Sequence, residues 1–348
     1  MITTKMKAMV LESFHHPLLL RDLPVPNIGP EDALIRVLFS GVCGTDMKII
    51  KGLIPAPIIQ LPHVLGHESA GEVVAVGSRV DHIKIGERVV VYFYVGCGVC
   101  RWCQQGRGNL CLRIKRCGFE LPGGFAQYQK VPARHLCRTG ELDPKHAAIL
   151  PDAVATSYHA VKVQGRVSIC DRVLIVGGGG LGIHAAQISD LCGSDTLVVD
   201  INQEKLDRIK DLIPTIHIIN SNETDPRQFI QEWTQGEGVD VVIETVGHPD
   251  TLCWSLPSLK RGGRLVIVGY TPQNPFPLDT MAMHYNEWEI VGSRASTQQE
   301  LEEVIQLVQQ KKIVPVVDRT FSLEMVNQAL KEVEDGRAVG RLVLEIGD

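Results

Sequence analysis

Two groups of residues in this 348-residue chain have types and spacings that could do chemistry. The first is Cys97, Cys100, Cys103 and Cys111, a C-x2-C-x2-C-x7-C pattern inside GCGVCRWCQQGRGNLC. Two-residue gaps let successive thiolates turn toward one centre, and Gly96, Gly98, Gly106 and Gly108 give the backbone the freedom such a knuckle needs. Four thiolates with no open position make a closed, tetrahedral structural zinc site. Iron–sulfur clusters use similar spacings, but the flanking chain carries no second electron-transfer signature. The second group is Gly177, Gly179 and Gly182 in VLIVGGGGLG, a G-x-G-x-x-G directly after an apolar run. The next apolar run ends in Asp200, 18 residues past Gly182, where a carboxylate can accept hydrogen bonds from an adenosine ribose. The glycines let backbone approach a pyrophosphate at the N-terminus of a helix over 181–191, with Gly180 and Leu181 in the same turn. A carboxylate at that edge repels a 2′-phosphate, so the expected dinucleotide is NAD and not NADP.

Those groups need two kinds of scaffold. From residue 6 to about 150 the text is strand-like, with β-branched runs at 34–39, 71–76 and 87–94 cut by Gly, Pro and Asp turns. Around 147–164 the apolar period becomes helical. From 171 onward the strands RVLIVG, DTLVVD, VDVVIETVG and GRLVIVG alternate with helices, the signature of parallel βαβ units. After 290–292 come a helix over 298–311, a strand-like stretch near 314–321, a helix over 323–335 and a last strand over 341–345. With no repeat and no long linker, closely packed domains are expected.

Composition narrows the class further. A net charge of −5 and a pI near 6.2 leave no electrostatic footprint for nucleic acid or an anionic membrane. No apolar run of 18 or more occurs, and the opening MITTKMKAMVLE lacks the apolar core of a secretory signal, so the expected compartment is the cytoplasm. In reducing surroundings clustered cysteines are metal ligands more often than disulfides. The scattered Cys117, Cys137, Cys170, Cys192 and Cys253 read as small core hydrophobes.

Alone, Cys43 in GVCGTD or His67 and Glu68 in LPHVLGHESAG would pass for core residues. Together with GHESAGEVVAVG, the four-cysteine lobe, AAILPDAVATSYHA and VLIVGGGGLG, in that order and spacing, they give a sequence that resembles the zinc-containing medium-chain dehydrogenases over essentially its whole length. That superfamily includes alcohol, polyol and threonine dehydrogenases. The resemblance implies an α/β fold. A GroES-like, β-rich catalytic domain would span 1–153, with its structural zinc lobe at about 95–112. A Rossmann doubly wound parallel sheet would span 154–292, and a return segment over 293–348 would complete the catalytic domain.

It also implies a catalytic zinc, the second of two per chain, on Cys43, His67 and a residue from 151–156. Many members have Cys or Glu there; this chain has Pro151-Asp152, which makes Asp152 the third ligand and leaves Glu68 as a neighbouring or exchangeable one. A Cys/His/Asp set keeps the fourth position open. By the same resemblance, Thr45 takes the alcohol proton, and hydride passes to NAD from a secondary alcohol or polyol, giving a ketone or aldehyde. Many relatives relay that proton through a histidine three residues later, where this chain has Lys48. An ordinary lysine titrates at about 10.4, so Lys48 is a relay of lowered pKa, a cation for a phosphate, carboxylate or sulfonate on the substrate, or a solvated charge. Further cofactor contacts carry over by position: Thr156 beside the nicotinamide, Lys205 near the ribose, Arg341 on the pyrophosphate, and Val268, Tyr270, Ser293 and Arg294 at the carboxamide. Tyr92, Phe93, Phe119 and Leu121 would wall the substrate pocket, and a homodimer or homotetramer is expected. A zinc-free quinone or enoyl reductase would lack Cys43, His67 and the cysteine lobe. A catalytically idle NAD-binding sensor or structural protein is the alternative from another class.

Overall fold

The computed structural model describes residues 4–54 and 58–347; residues 1–3, 55–57 and 348 of the expected catalytic domain lie outside them. The chain forms two units. One gathers Met1–Asp152, Ser296–Gln309 and Val317–Asp348; the other gathers Ala153–Ala295 and Gln310–Val316. The tail expected over 293–348 to lie wholly in the first unit therefore gives ten residues, 293–295 and 310–316, to the second.

The first unit is built around the long strand Asp32–Val42. It pairs antiparallel with Glu68–Val76, Tyr128–Pro132 and Arg341–Glu345. Arg88–Val91 and Leu136–Arg138 extend the sheet on one side and Val317–Ser322 on the other. Sequence DALIRVLFSGV buries most positions because the strand is central. A three-stranded sheet orders Leu19–Pro24, Lys5–Leu11 and His63–Val64. The small ribbon Tyr94–Val95 with Lys115–Arg116 brackets the four cysteines.

The second unit holds a six-stranded sheet in the order His217–Asn220, Asp195–Asp200, Arg172–Val176, Val239–Glu244, Leu259–Ile267, Glu289–Gly292, with every pairing parallel. In chain order this is 3-2-1-4-5-6, so connections diverge on either side of Arg172–Val176 and leave a crevice at its carboxyl end. Leu174, Val176, Leu197, Val199, Val242 and Leu265 supply the buried core.

The apolar runs marked four of these six strands and left His217–Asn220 and Glu289–Gly292 unassigned. His217–Asn220 lacked a visible run because three of its four positions are only half-buried. The helical stretch at 147–164 is also less regular than its period suggested: Leu150–Val154 and His159–Gln164 are π-turns flanking the short α-helix Ala155–Tyr158. Among the described residues no helix is long and apolar enough to cross a membrane.

Candidate functional site

Strand register brings the first cluster together. In the central sheet Gly41 lies opposite Glu68, and Val42 opposite Leu342. Because both neighbours run antiparallel to Asp32–Val42, its last residues meet their first ones, so Cys43, His67, Glu68 and Arg341 gather at one end of the sheet. Asp152 arrives from the π-turn Leu150–Val154. One ligand atom from each of Cys43, His67, Glu68 and Asp152 lies within 4.8 Å of the others, and all four residues are enclosed. Gly41 is required here: a Cβ on it would lie 2.0 Å from Glu68 Oε2. Gly66, at φ +91°, makes the turn into His67 with Phe125 packed against it.

Cys43 Sγ and His67 Nε2 are each 3.6 Å from Asp152 Oδ2. Zinc bonds of about 2.3 Å to sulfur and about 2.0 Å to nitrogen or oxygen would put tetrahedral partners roughly 3.3–3.5 Å apart. The donors therefore fit such an ion. Glu68 Oε2, buried without a hydrogen-bond partner, is a further acceptor facing no donor. Burial, against the pull of Arg341, pushes the Glu68 carboxyl up to about 8. Burial also works against a charged His67, yet the Asp46 and Asp152 carboxylates hold its pKa well above the usual histidine value. Arg341, expected on a pyrophosphate, donates from Nε to Glu68 Oε1 at 2.8 Å and from Nη2 to Asp152 Oδ2 at 2.6 Å. Its guanidinium thus binds two of the four clustered groups and orients both.

Cys43 caps the helix Gly44–Ile50, which carries Thr45 and Lys48 three residues apart on one face. Thr45 Oγ1 is 3.6 Å from Cys43 Sγ. Burial lowers the pKa of half-buried Lys48, with the Cys43 charge opposing. The Phe93 and Phe119 rings lie 5.1 and 5.5 Å from that of His67, forming an aromatic flank. Tyr92 does not join them; its hydroxyl donates to the Ser296 carbonyl at 2.7 Å and its ring stacks on His135.

Asp46 was missed as a functional residue. Its Oδ2 accepts the Cys43 N–H at 3.0 Å, and its Oδ1 faces His67 Nδ1 at 3.4 Å. A carboxylate behind a ligating histidine fixes the tautomer and ring orientation. The aspartate closing GVCGTD was the available signal.

In the lobe, Cys100 Sγ lies 3.6 Å from Cys103 Sγ and 3.8 Å from Cys111 Sγ. Four sulfurs about 2.3 Å from a tetrahedral ion would be roughly 3.8 Å apart, so this set also fits zinc. The Val99 and Cys100 N–H groups and the Arg113 guanidinium hold the Cys97 thiol down at about 6, whereas burial pushes Cys103 up to about 12. A bound cation is what ionises such a thiol. Cys117 and Cys137 are buried as expected of core thiols, but Cys170 and Cys253 are exposed, which corrects their reading as packing residues.

Each glycine of the second motif has its own reason. Gly177 turns at φ +94°, with Thr245 Oγ1 2.6 Å from where a Cβ would stand. Gly182 packs so tightly that a Cβ would meet the Gly177 carbonyl oxygen at 1.7 Å, while a Cβ on Gly179 would have nothing within 4 Å. That is the division expected of a tight turn, an open backbone face for pyrophosphate and a close helix–strand contact. Gly180 and Leu181 complete the turn before the helix Gly182–Leu191. Asp200 accepts the Gly178 N–H at 2.6 Å and the Asn202 N–H at 2.9 Å, fixing its carboxylate beside the turn.

Glu244 is fully buried and accepts from Gly247 N at 2.5 Å, Val246 N at 3.2 Å and Thr251 Oγ1 at 3.0 Å. Its backbone carbonyl takes the Val268 and Gly269 N–H groups, tying two strand-end loops together. Thr156 is buried in the same unit, and Lys205 is half-buried with its N–H on Asn202 Oδ1. Tyr270 and Arg294 are exposed, and Ser293 Oγ is buried without a hydrogen-bond partner.

Residues 29–141 match the family model described as alcohol dehydrogenase GroES-like domain, and residues 180–310 match the zinc-binding dehydrogenase model. The chain is 34% identical to an NAD-dependent alcohol dehydrogenase of Sulfolobus acidocaldarius, over 98% of this chain and all of that one. A sorbitol dehydrogenase of Bacillus subtilis is 35% identical over 84% of this chain and 82% of its own length. The alcohol dehydrogenase structure from the archaeon Aeropyrum pernix superposes with a TM-score of 0.92 at 30% identity, covering 98% of this chain and all of that one. With both units matched and the Sulfolobus acidocaldarius relative spanned over its full length, this chain belongs to the zinc-containing medium-chain dehydrogenase superfamily and is an NAD-dependent, zinc-type alcohol oxidoreductase.

Proposed function

We propose that the substrate is a secondary alcohol, oxidised to its ketone with NAD, and that the chain carries two zinc ions. The catalytic ion would sit on Cys43, His67 and Asp152 with Glu68 as an exchangeable donor, and the structural ion on Cys97, Cys100, Cys103 and Cys111. The observation that carries this reading is the buried Cys/His/Glu/Asp set, donor atoms within 4.8 Å of one another, beside the Phe93 and Phe119 rings. Zinc held there would supply Lewis acidity, making the hydroxyl of a neighbouring alcohol a stronger acid.

The chain's own residues do the rest. Thr45 Oγ1 would take the carbinol proton and release one of its own, while NAD, when bound, would supply the hydride acceptor for the carbinol carbon, so that ketone, NADH and one proton result. The aromatic flank excludes water and favours an apolar substituent. Asp46 orients His67, and Arg341 holds Asp152 and Glu68. On the other unit the glycine turn binds the pyrophosphate and Asp200 the ribose, with Thr156, Lys205, Val268, Tyr270, Ser293 and Arg294 as further contacts. The enzyme would work in the cytoplasm as a homodimer or homotetramer. A polyol is the second reading, favoured by the likeness to the Bacillus subtilis sorbitol dehydrogenase.

NADH appearance over a panel of secondary alcohols, sugar alcohols, their phosphates and β-hydroxy amino acids tests the proposal, with protein as isolated, chelator-treated and zinc-restored. Turnover of apolar secondary alcohols that vanishes with the metal and returns with zinc is expected. A panel with no zinc-dependent turnover, together with tight NAD binding and one zinc per chain, would leave an idle binding protein.

A further inference from the structure

The dinucleotide helix Gly182–Leu191 holds a histidine, His184, that is fully buried and that the reaction does not use. Its ring makes two bonds of opposite sense. The Val316 N–H donates to Nε2 at 2.9 Å. A backbone N–H has no lone pair to offer, so Nε2 is the unprotonated nitrogen and the neutral ring carries its proton on Nδ1. That Nδ1–H then donates to the Gly180 carbonyl at 2.7 Å. The His184 backbone N–H bonds instead to the Leu181 carbonyl at 3.1 Å, and Ile183 N–H to Gly179 at 3.0 Å. The ring therefore gives the Gly180 carbonyl a side-chain donor at the first turn of the helix.

A trans peptide points its C=O and the following N–H in opposite directions. With the Gly180 carbonyl drawn back along the helix to His184, the N–H of Leu181 is turned out of its N-terminal end, where an anion is bound. We propose that His184 is a positioning residue of the dinucleotide site: it locks the Gly180–Leu181 peptide in the orientation that receives pyrophosphate, and it takes its own orientation from the segment Gln310–Val316. One turn further on, Gln187 fastens the same segment, accepting the Val314 N–H at 2.8 Å and donating to the Val314 carbonyl at 3.0 Å. This explains why 310–316, flanked on both sides by chain of the other unit, packs with the dinucleotide unit.

The test uses the zinc-loaded enzyme, with Kd for NAD from fluorescence and Ki for ADP and adenosine as competitors. His184→Leu keeps volume and removes both ring bonds. It is expected to weaken NAD and ADP about tenfold, or ~1.4 kcal/mol, and to leave adenosine and kcat at saturating NAD within about twofold. His184→Gln, whose amide can donate to the carbonyl four residues back, should recover most of the loss. Gln187→Leu should lower stability and leave NAD affinity unchanged. An unchanged NAD Kd in His184→Leu, or a parallel loss for adenosine and ADP, overturns the proposal. Should that variant not fold, histidine ring 15N spectra of the wild type decide, with His184 assigned by its absence from His184→Gln. A neutral Nδ1–H tautomer whose signal moves with ADP and not with adenosine supports the assignment, and an Nε2–H tautomer, an imidazolium or insensitivity to ADP overturns it.

Discussion

Asp46 serves two groups with one buried carboxylate, and the two are separable by substitution. Asp46→Asn keeps an oxygen for the Cys43 N–H and so retains the cap of Gly44–Ile50, but it removes the charge behind His67. The expected outcome is a loss of zinc affinity and kcat of about 10–100-fold with little change in unfolding midpoint, read by zinc retention against a chelator. A loss under twofold would detach Asp46 from the site. Lys48, on the same helix, has a signature in pH. Its folded pKa is lowered chiefly by burial, so between the folded and unfolded values the unfolded chain binds more protons and stability rises with pH. The cost of burying the ammonium is complete below that window and lifted as pH climbs through it. Urea unfolding should therefore show Lys48→Met most favoured over wild type near pH 7, with the difference shrinking toward pH 10.5. Why Asp46 escaped notice is also a matter of scale: an acid in the first turn of a helix has an ordinary role there. Arg341 shows the converse, since its partner Glu68 lies 273 residues away and only strand register brings the two together.

Elements turn the glycine motif into two separate requirements. Gly182→Ala must push its Cβ into the Gly177 carbonyl, backbone against backbone, and should cost about 1–3 kcal/mol of stability. Gly179→Ala meets nothing within 4 Å, so its unfolding midpoint should stay near wild type while NAD binding weakens about tenfold, because the methyl occupies the face kept bare for pyrophosphate. Calorimetry paired with NAD titration checks both, and a Gly179→Ala protein that binds NAD normally would move the phosphate elsewhere. The parallel strands were legible because a sheet covered on both faces leaves nearly continuous apolar runs, as in RVLIV at Arg172–Val176. His217–Asn220 sits at the edge of that sheet, and its weak pattern follows from that position. The π-turn carrying Asp152 had no local cue, because LPDAV reads as an ordinary helix start.

At the scale of the whole chain, the first unit is assembled from three separate stretches, and the final strand Arg341–Glu345 pairs with Asp32–Val42 from near the other end. That the tail returns was expected from resemblance; that 310–316 leaves it again was not, because the bonds that retain it come from His184 and Gln187 far upstream. The cysteine lobe stands apart in how it is held. Val99 is 66% and Leu112 82% exposed, so little apolar burial supports this stretch, and the four thiolates are the candidate staple. Losing either zinc should then have different consequences. Cys103→Ser should leave one zinc per chain and open residues 95–112 to proteolysis, because metal-binding energy of the lobe is folding energy. Cys43→Ser should also leave one zinc per chain, yet resist protease like wild type while losing turnover, since strand pairing rather than metal brings that site together. Elemental analysis with limited proteolysis of both variants separates the two roles. A Cys103→Ser chain as protease-resistant as wild type would mean that the lobe is held by its Tyr94–Val95 and Lys115–Arg116 ribbon, and that its thiolates serve something other than the fold.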